Sequence, residues 1–310
     1  MIHAVGLTKR FGNLTAVEEL SLDVHEGEVF GFLGPNGAGK TTTVRMLTSL
    51  ISRSSGTAEV AGCTLGRDAD ELELRRRIGL LPENVGLYES TSAVQNLEYF
   101  GRLHRLPEAK LRANIERLLR MMDLWNERDR PIATYSKGMK QKVAIARALV
   151  HDPVLLFLDE PTANLDPESA KTVRDFILEL KKERRTIFLN THHLDEAERI
   201  CDRVGILRTR LLTVGSPEAL RDRLWGSRTV VRVERPSEAL VVAITDRLGP
   251  RKVEISGDTM VVEVTDPDRD NPEIAAAVVG AGGRLRQISQ LSPSLEEVYL
   301  RLIHEQGSAG

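Results

Sequence analysis

The stretch Gly34-Pro35-Asn36-Gly37-Ala38-Gly39-Lys40-Thr41, followed by Thr42, sets a lysine and two hydroxyls directly behind a glycine-rich turn. That order suits phosphate. Glycines let the backbone close on an anion, and amide N–H groups at the start of a helix point at its oxygens. Lys40 adds a point charge for the outer phosphates, and the Thr41 hydroxyl is placed to ligate Mg²⁺ beside them. The bare spacing also arises by chance, so its surroundings must carry the reading. A second feature is the acidic pair Asp159-Glu160 behind the apolar run Val154 to Leu158. If that run is a strand, Asp159 reaches the carboxyl edge of a sheet, where ligands of such folds sit, and can hold Mg²⁺ through water. Glu160 can then orient or deprotonate an attacking water. On its own such a pair is more often a helix cap or a solvated turn. With a phosphate loop in the same chain, the chemical reading is the better one.

The surrounding pattern supplies the elements that would position these groups. Glu28 to Leu33 reads as a buried strand running into the glycine turn, and Thr41 to Leu50 as the helix behind it. Val154 to Leu158, Thr186 to Asn190 and Arg203 to Leu207 read as further strands, separated by helical stretches at Pro167 to Arg185 and Leu194 to Cys201. Continuous apolar strands alternating with helices imply an α/β fold with a mostly parallel sheet covered on both faces. Between the first two of these strand regions lies an almost wholly helical stretch, about residues 90–152. Leu97, Phe100 and Leu103, then Leu111, Ile115, Leu118, Leu119 and Met122, fall at helical spacing there. It reads as an inserted helical subdomain whose stripes are core faces.

Beyond Gly215-Ser216-Pro217 and a short helix ending near Trp225, the composition changes to short alternating strands. Strands at Thr229 to Glu234, Lys252 to Ser256, Met260 to Thr265 and Arg284 to Ser289 are interleaved with helices at Ser237 to Leu248 and Pro272 to Gly280. That order matches a small α+β module of ferredoxin-like type. The expected domains are 1–225 and 226–305, with Gln306 to Gly310 as a frayed tail.

Further motifs accompany the phosphate loop and the acidic pair, and together they carry a resemblance. Leu155-Leu156-Phe157-Leu158-Asp159-Glu160-Pro161-Thr162 resembles the Walker B segment of ABC ATPases. Tyr135-Ser136-Lys137-Gly138-Met139-Lys140-Gln141 is similar to their signature motif, and Ala163-Asn164-Leu165-Asp166 to their D-loop. Thr191-His192 followed by Leu194-Asp195-Glu196-Ala197-Glu198 is similar to their switch-histidine region. The motifs stand in the family's order. The resemblance implies a P-loop NTPase core that binds ATP and Mg²⁺ and hydrolyses ATP. Two copies would meet head to tail, so that Ser136, Gly138 and Asp166 of one close on the ATP held by Gly34 to Thr42 of the other.

Physical chemistry accepts that reading. Ser136 and Gly138 open a predicted helix, and a helix N-terminus suits an anion, although Ser-Lys-Gly alone is a common helix start. The resemblance further implies that Glu160 is the general base, that His192 donates a hydrogen bond to the γ-phosphate, and that Phe11 stacks on adenine. Neighbouring His193 has no matching family role and reads as an ordinary structural or solvated histidine. Glu83 stands where the family usually has glutamine; it can ligate Mg²⁺ or position water, yet adds negative charge beside the phosphates. Lys137 replaces the common glycine of the signature. Together with Glu83 and the ending Pro293-Ser294-Leu295-Glu296-Glu297-Val298-Tyr299-Leu300, it resembles the daunorubicin-resistance branch of exporters.

Composition narrows the alternatives. A formal net charge of -2 gives no long-range pull toward nucleic acid. Cys63 and Cys201 lack the spacing of a zinc site and read as buried thiols in a reducing compartment. The first ten residues carry no secretory apolar stretch, and the longest apolar runs fall far short of the ~20 residues that span a bilayer. The expected protein therefore stays in the cytoplasm, and the resemblance implies that it is peripheral, bound to the inner face of the membrane through an integral permease and working as a homodimer. A non-transport ABC ATPase acting on nucleic acid or ribosomes is the alternative, and it would normally carry coiled-coil insertions, zinc-bearing insertions or a second cassette. A small-molecule kinase or GTPase would explain Gly34 to Thr41 but not Ser136 to Gln141 or His192.

Overall fold

The computed structural model describes residues 1–225, 227–291 and 294–307. Two compact units divide the chain, Met1–Pro217 and Glu218–Gly310. The expected boundary at Gly226 and the Pro293 of the closing motif lie outside the described residues, as do Ser308 to Gly310 of the expected tail.

The first unit opens with two long strands, β1 (Ile2–Phe11) and β2 (Leu14–Val24), which pair antiparallel. They are followed by β3 (Val29–Leu33) and α1 (Lys40–Leu47). A further pair, β4 (Ser55–Val60) and β5 (Cys63–Thr64), completes an antiparallel sheet of order β2-β1-β4-β5. The sequence reading had not placed this sheet. Next come α2 (Asp68–Arg77), β6 (Ile78–Leu81), α3 (Ala93–Leu103), α4 (Glu108–Met121) and α5 (Lys137–Leu149). The expected helical stretch is thus α3, α4 and α5 with two single 3₁₀ turns between them. Ser92 caps α3 with a full capping box, its hydroxyl accepting from the Gln95 amide while Gln95 reaches back. Leu97, Leu111, Ile115, Leu118, Leu119 and Met122 are buried, as their spacing required, whereas Phe100 is half-buried and Leu103, expected on the same core face, ends α3 at 61% exposure.

The strands that carry the chemistry follow: β7 (Leu155–Asp159), α6 (Pro167–Lys182), β8 (Thr186–Asn190), α7 (Leu194–Ile200), β9 (Arg203–Arg208) and β10 (Arg210–Gly215). They form a six-stranded sheet of order β10-β9-β3-β8-β7-β6, parallel except where β10 returns along β9. All five residues of β3, of β7 and of β8 are buried, which explains their unbroken apolar runs. Phe188 of β8 lies 5.7, 5.2 and 5.4 Å, centroid to centroid, from Phe30, Phe32 and Phe157. These rings lock three adjacent strands together beneath the phosphate loop. On the opposite face Gly31 makes room for Cys201, since a Cβ there would stand 2.8 Å from its sulfur. Both cysteines are buried and unpaired.

The second unit contains α8 (Pro217–Trp225) from Glu218 onward, then β11 (Ser227–Val233), α9 (Glu238–Leu248), β12 (Val253–Ser256), β13 (Thr259–Val264), α10 (Pro267–Gly280), β14 (Leu285–Leu291) and α11 (Leu295–Gly307). Its sheet runs β12-β13-β11-β14 with every pairing antiparallel, the ferredoxin-like arrangement. Helix α10 starts earlier than expected, because Asp266 caps it by accepting from the Asp268 and Arg269 amides and Pro267 fits the first turn. Pro272 therefore sits inside the helix rather than at its start. Residues Gln306 and Gly307, expected as frayed tail, belong to α11.

Candidate active site

The phosphate loop connects β3 to α1 and is shaped by close backbone approaches. Gly39 has φ 99°, and a Cβ there would stand 2.3 Å from the Ala16 carbonyl oxygen. A Cβ on Gly34 would stand 2.4 Å from the Leu207 carbonyl oxygen. Only glycine fits either place. Lys40 is 7% exposed, and its ammonium donates to the Gly34 and Pro35 carbonyls at 2.7 and 3.2 Å. Burial pushes its pKa down, while Glu160, Asp159 and Glu83 oppose that shift. One buried cation therefore faces three carboxylates.

Asp159 ends β7, and the strand register sets it opposite Asn190 of β8. The Asn190 amide donates to its carboxylate, and the Thr41 hydroxyl donates to it as well. Burial pushes the Asp159 carboxyl above its usual 3.8; those hydrogen bonds pull the other way, and the nearby Glu160 and Glu83 charges raise it further. Thr41, Asp159 and Glu83 thus offer hard oxygen donors, the kind Mg²⁺ takes.

Glu160 has a left-handed backbone, φ 51°. Such a conformation costs an ordinary residue about 1–3 kcal/mol. It is held by its amide, which donates to the Asn190 carbonyl at 2.8 Å. The side chain is 13% exposed, with one oxygen 2.8 Å from the His192 Nδ1. Its other oxygen is buried without a hydrogen-bond partner. A carboxylate with one oxygen braced and one unsatisfied is suited to accept a proton from water.

A cleft of about 480 Å³ opens over these groups. It is lined by Phe11, by the loop from Pro35 to Thr42, and by Glu83, Glu160 and Asn190. Phe11 is 49% exposed at its rim, with the Lys9 ammonium 4.9 Å from the ring centre. Asn190, Ala16 and Thr209 also line it and were missed by sequence reading. Asn190 carried one usable signal, a lone polar residue closing an apolar strand.

Ser136, Gly138 and Asp166 do not line this cleft. Ser136 caps α5, its hydroxyl accepting from the Met139 amide, and Asp166 caps α6 by accepting from Ser169. Gly138 is buried where α5 meets α6, since a Cβ would stand 2.2 Å from the Ser169 hydroxyl oxygen. His192 is half exposed and reaches the site through Glu160.

A phosphate loop on one strand, with an acid pair two strands away in a parallel sheet, defines a P-loop nucleoside triphosphatase. Two family profiles match the chain: "ABC transporter" over residues 17–163, and "ATP-binding protein DrrA1-3-like, C-terminal domain" over 215–303. Daunorubicin resistance ATP-binding protein DrrA2 of Streptomyces coeruleorubidus is 35% identical over 97% of this chain and 94% of its own length. Nod factor export ATP-binding protein I of Rhizobium sp. (strain N33) is 36% identical over 97% of this chain and 96% of its own length. A solved ATP binding subunit of an ABC transporter superposes with a TM-score of 0.67 at 30% identity, covering 73% of this chain and 94% of that one. The chain belongs to the ATP-binding, ATP-hydrolysing subunits of ABC transporters. Subunits of this family dimerise and work with a transmembrane permease. Among the described residues no helix is long and apolar enough to cross a membrane. The nucleic-acid or ribosome alternative is not favoured.

Proposed function

We propose that this chain is the motor of an exporter, driving a drug, antibiotic, lipid or similar substrate through a separate integral permease at the inner face of the cell membrane. The names of its relatives support export: one confers daunorubicin resistance, another exports Nod factor. In this reading residues 1–225 are the ATPase domain, with its helical subdomain at about 90–152, and 226–305 an accessory domain.

The loop Gly34 to Thr42 binds the triphosphate, with Lys40 on its outer phosphates and Phe11 against adenine. Thr41, Asp159 and Glu83 would hold Mg²⁺, which would neutralise negative charge on the phosphates. Glu160 takes the proton of the attacking water through its unpartnered oxygen. His192, already bonded to Glu160, turns toward the γ-phosphate and couples its presence to closure. Ser136, Gly138 and Asp166 act on the ATP of a second, identical subunit. One observation supports that last step: these three residues lie outside the cleft that holds Lys40, as residues serving a partner's ATP would.

The test is Glu160→Gln. With Mg²⁺ and ATP the variant should form a stable dimer of twice the 34.5 kDa chain mass, read by sedimentation. Hydrolysis should fall by roughly 10²–10⁴-fold, the worth of a general base. Full turnover, or a particle that stays monomeric with ATP, overturns the scheme.

A further inference from the structure

His193 has no part in the ATPase scheme, yet it lies where chemistry is possible. Glu160, His192 and His193 are the group among the described residues whose carboxylate and imidazole ligand atoms gather within 4.8 Å of one another. The two rings lie 4.2 Å apart, tilted by 35°. His192 Nδ1 is already 2.8 Å from one Glu160 oxygen, and the other Glu160 oxygen is buried with no partner. That second oxygen is the one given above to the attacking water, so an ion held by the first oxygen would sit beside it. Both histidines are exposed, so an ion can reach them from solvent.

We propose that Glu160, His192 and His193 form a site for a borderline-soft divalent cation such as Zn²⁺, and that filling it switches ATP hydrolysis off. Two imidazoles and one carboxylate, with a fourth position open, are a donor set that Zn²⁺ takes and Mg²⁺ does not favour. Zinc bonds of about 2.0–2.2 Å set tetrahedral ligand atoms roughly 3.3 Å apart, so the Glu160–His192 pair, now 2.8 Å apart, opens while His193 adjusts, a change open to rotamers of exposed side chains. His192 must present a lone pair at the nitrogen that now donates to Glu160, so its proton moves to the other ring nitrogen and the cation replaces it between the two residues. The ion then occupies the carboxylate that would accept the proton of water and the imidazole that would sense the γ-phosphate. Lys40, Thr41 and Asp159 are untouched, so nucleotide binding survives. The inhibitory half of this proposal rests on the role given to Glu160 above; the binding half does not.

Co²⁺, a coloured substitute for Zn²⁺, tests binding on the full nucleotide-free chain. Titration should give the visible bands of a four-coordinate ion at one equivalent per chain, bleached by Zn²⁺. His193 caps α7 without a side-chain hydrogen bond, so His193→Ala and His193→Gln should fold normally. Each should weaken Co²⁺ by at least the ~10–100-fold that losing even an outer partner of a metal ligand costs. In ATPase assays with Mg²⁺, Zn²⁺ should stop the wild type, and a chelator should restore it. His193→Ala should match wild-type turnover without zinc and need at least tenfold more zinc for half inhibition. Absent cobalt bands, unchanged affinity in both variants, or equal zinc sensitivity would each overturn the site. A His193→Ala protein inactive without zinc would do so too, because His193 would then serve the ATPase itself. If the wild type hydrolyses no ATP, the motor reading fails while the cobalt titration still decides the metal site.

Discussion

At the scale of single residues, the site holds charges under tension. Asp159 is 3% exposed and Lys40 7%, so each carries its charge in a place that disfavours it. For Asp159 the folded pKa is raised above its ordinary 3.8. A raised group contributes stability that is fully present below the unfolded value and is lost as pH rises through the folded one. At neutral pH the fold therefore carries an ionised carboxylate against its own stability, and cation binding offsets that cost. Asp159→Asn should abolish hydrolysis yet raise the melting temperature of the nucleotide-free protein, by roughly 2–4 °C per kcal/mol regained. The gain, read by calorimetry across a pH series, should shrink as pH falls toward 3.8. An unchanged or lower melting temperature at pH 7 would count against burial as the controlling force.

At the scale of elements, the fit between α5 and α6 constrains Gly138, which the proposed function sets against a partner's ATP. Gly138 lies against Ser169, with room for no side-chain atom between them. Gly138→Ala should therefore destabilise the protein, by the ~1–3 kcal/mol typical of overpacking. Adding Ser169→Gly should restore most of the loss in denaturant melts. If the glycine matters only to nucleotide, the second change will restore nothing, and the double-mutant cycle separates the two cases.

Elements also show what could be read in advance. Strands β3, β7 and β8 were legible because burial on both faces writes an unbroken apolar run. The pair β1 and β2 was not, because register shifts between Ala4 and Leu7, Leu7 and Lys9, and Lys9 and Arg10 break the alternation that marks a strand. That hidden sheet brings Ala16 against Gly39 and Phe11 to the cleft, so part of the site depended on pairings that no local pattern announces. Glu160, Asp159 and Lys40 were legible from spacing; the Asn190 contact needed the β7–β8 register. His193 stayed mute because its neighbours are assembled by the fold.

At the scale of the whole molecule, the second unit has a core of its own. Val231, Val233, Leu240, Ile244, Met260, Val262 and Ile274 are buried together between its sheet and helices. Residues 218–310 expressed alone should therefore melt as one cooperative transition, seen by circular dichroism and by dispersed amide resonances. A chain that stays unfolded would show that this core is insufficient without the first unit.

The parallel run of β9, β3, β8, β7 and β6 gives the large sheet two unlike rims. The glycine loop after β3, Asp159 and Glu160 after β7 and Asn190 of β8 all stand at the rim where these strands end. At the other rim, where they begin, the connections carry exposed residues such as Glu26 and Arg184. That quiet side is where the molecule can be handled: a dye, an affinity handle or a short inserted peptide at Glu26 or Arg184 leaves the nucleotide chemistry alone, and a probe placed there can watch the motor run without entering it.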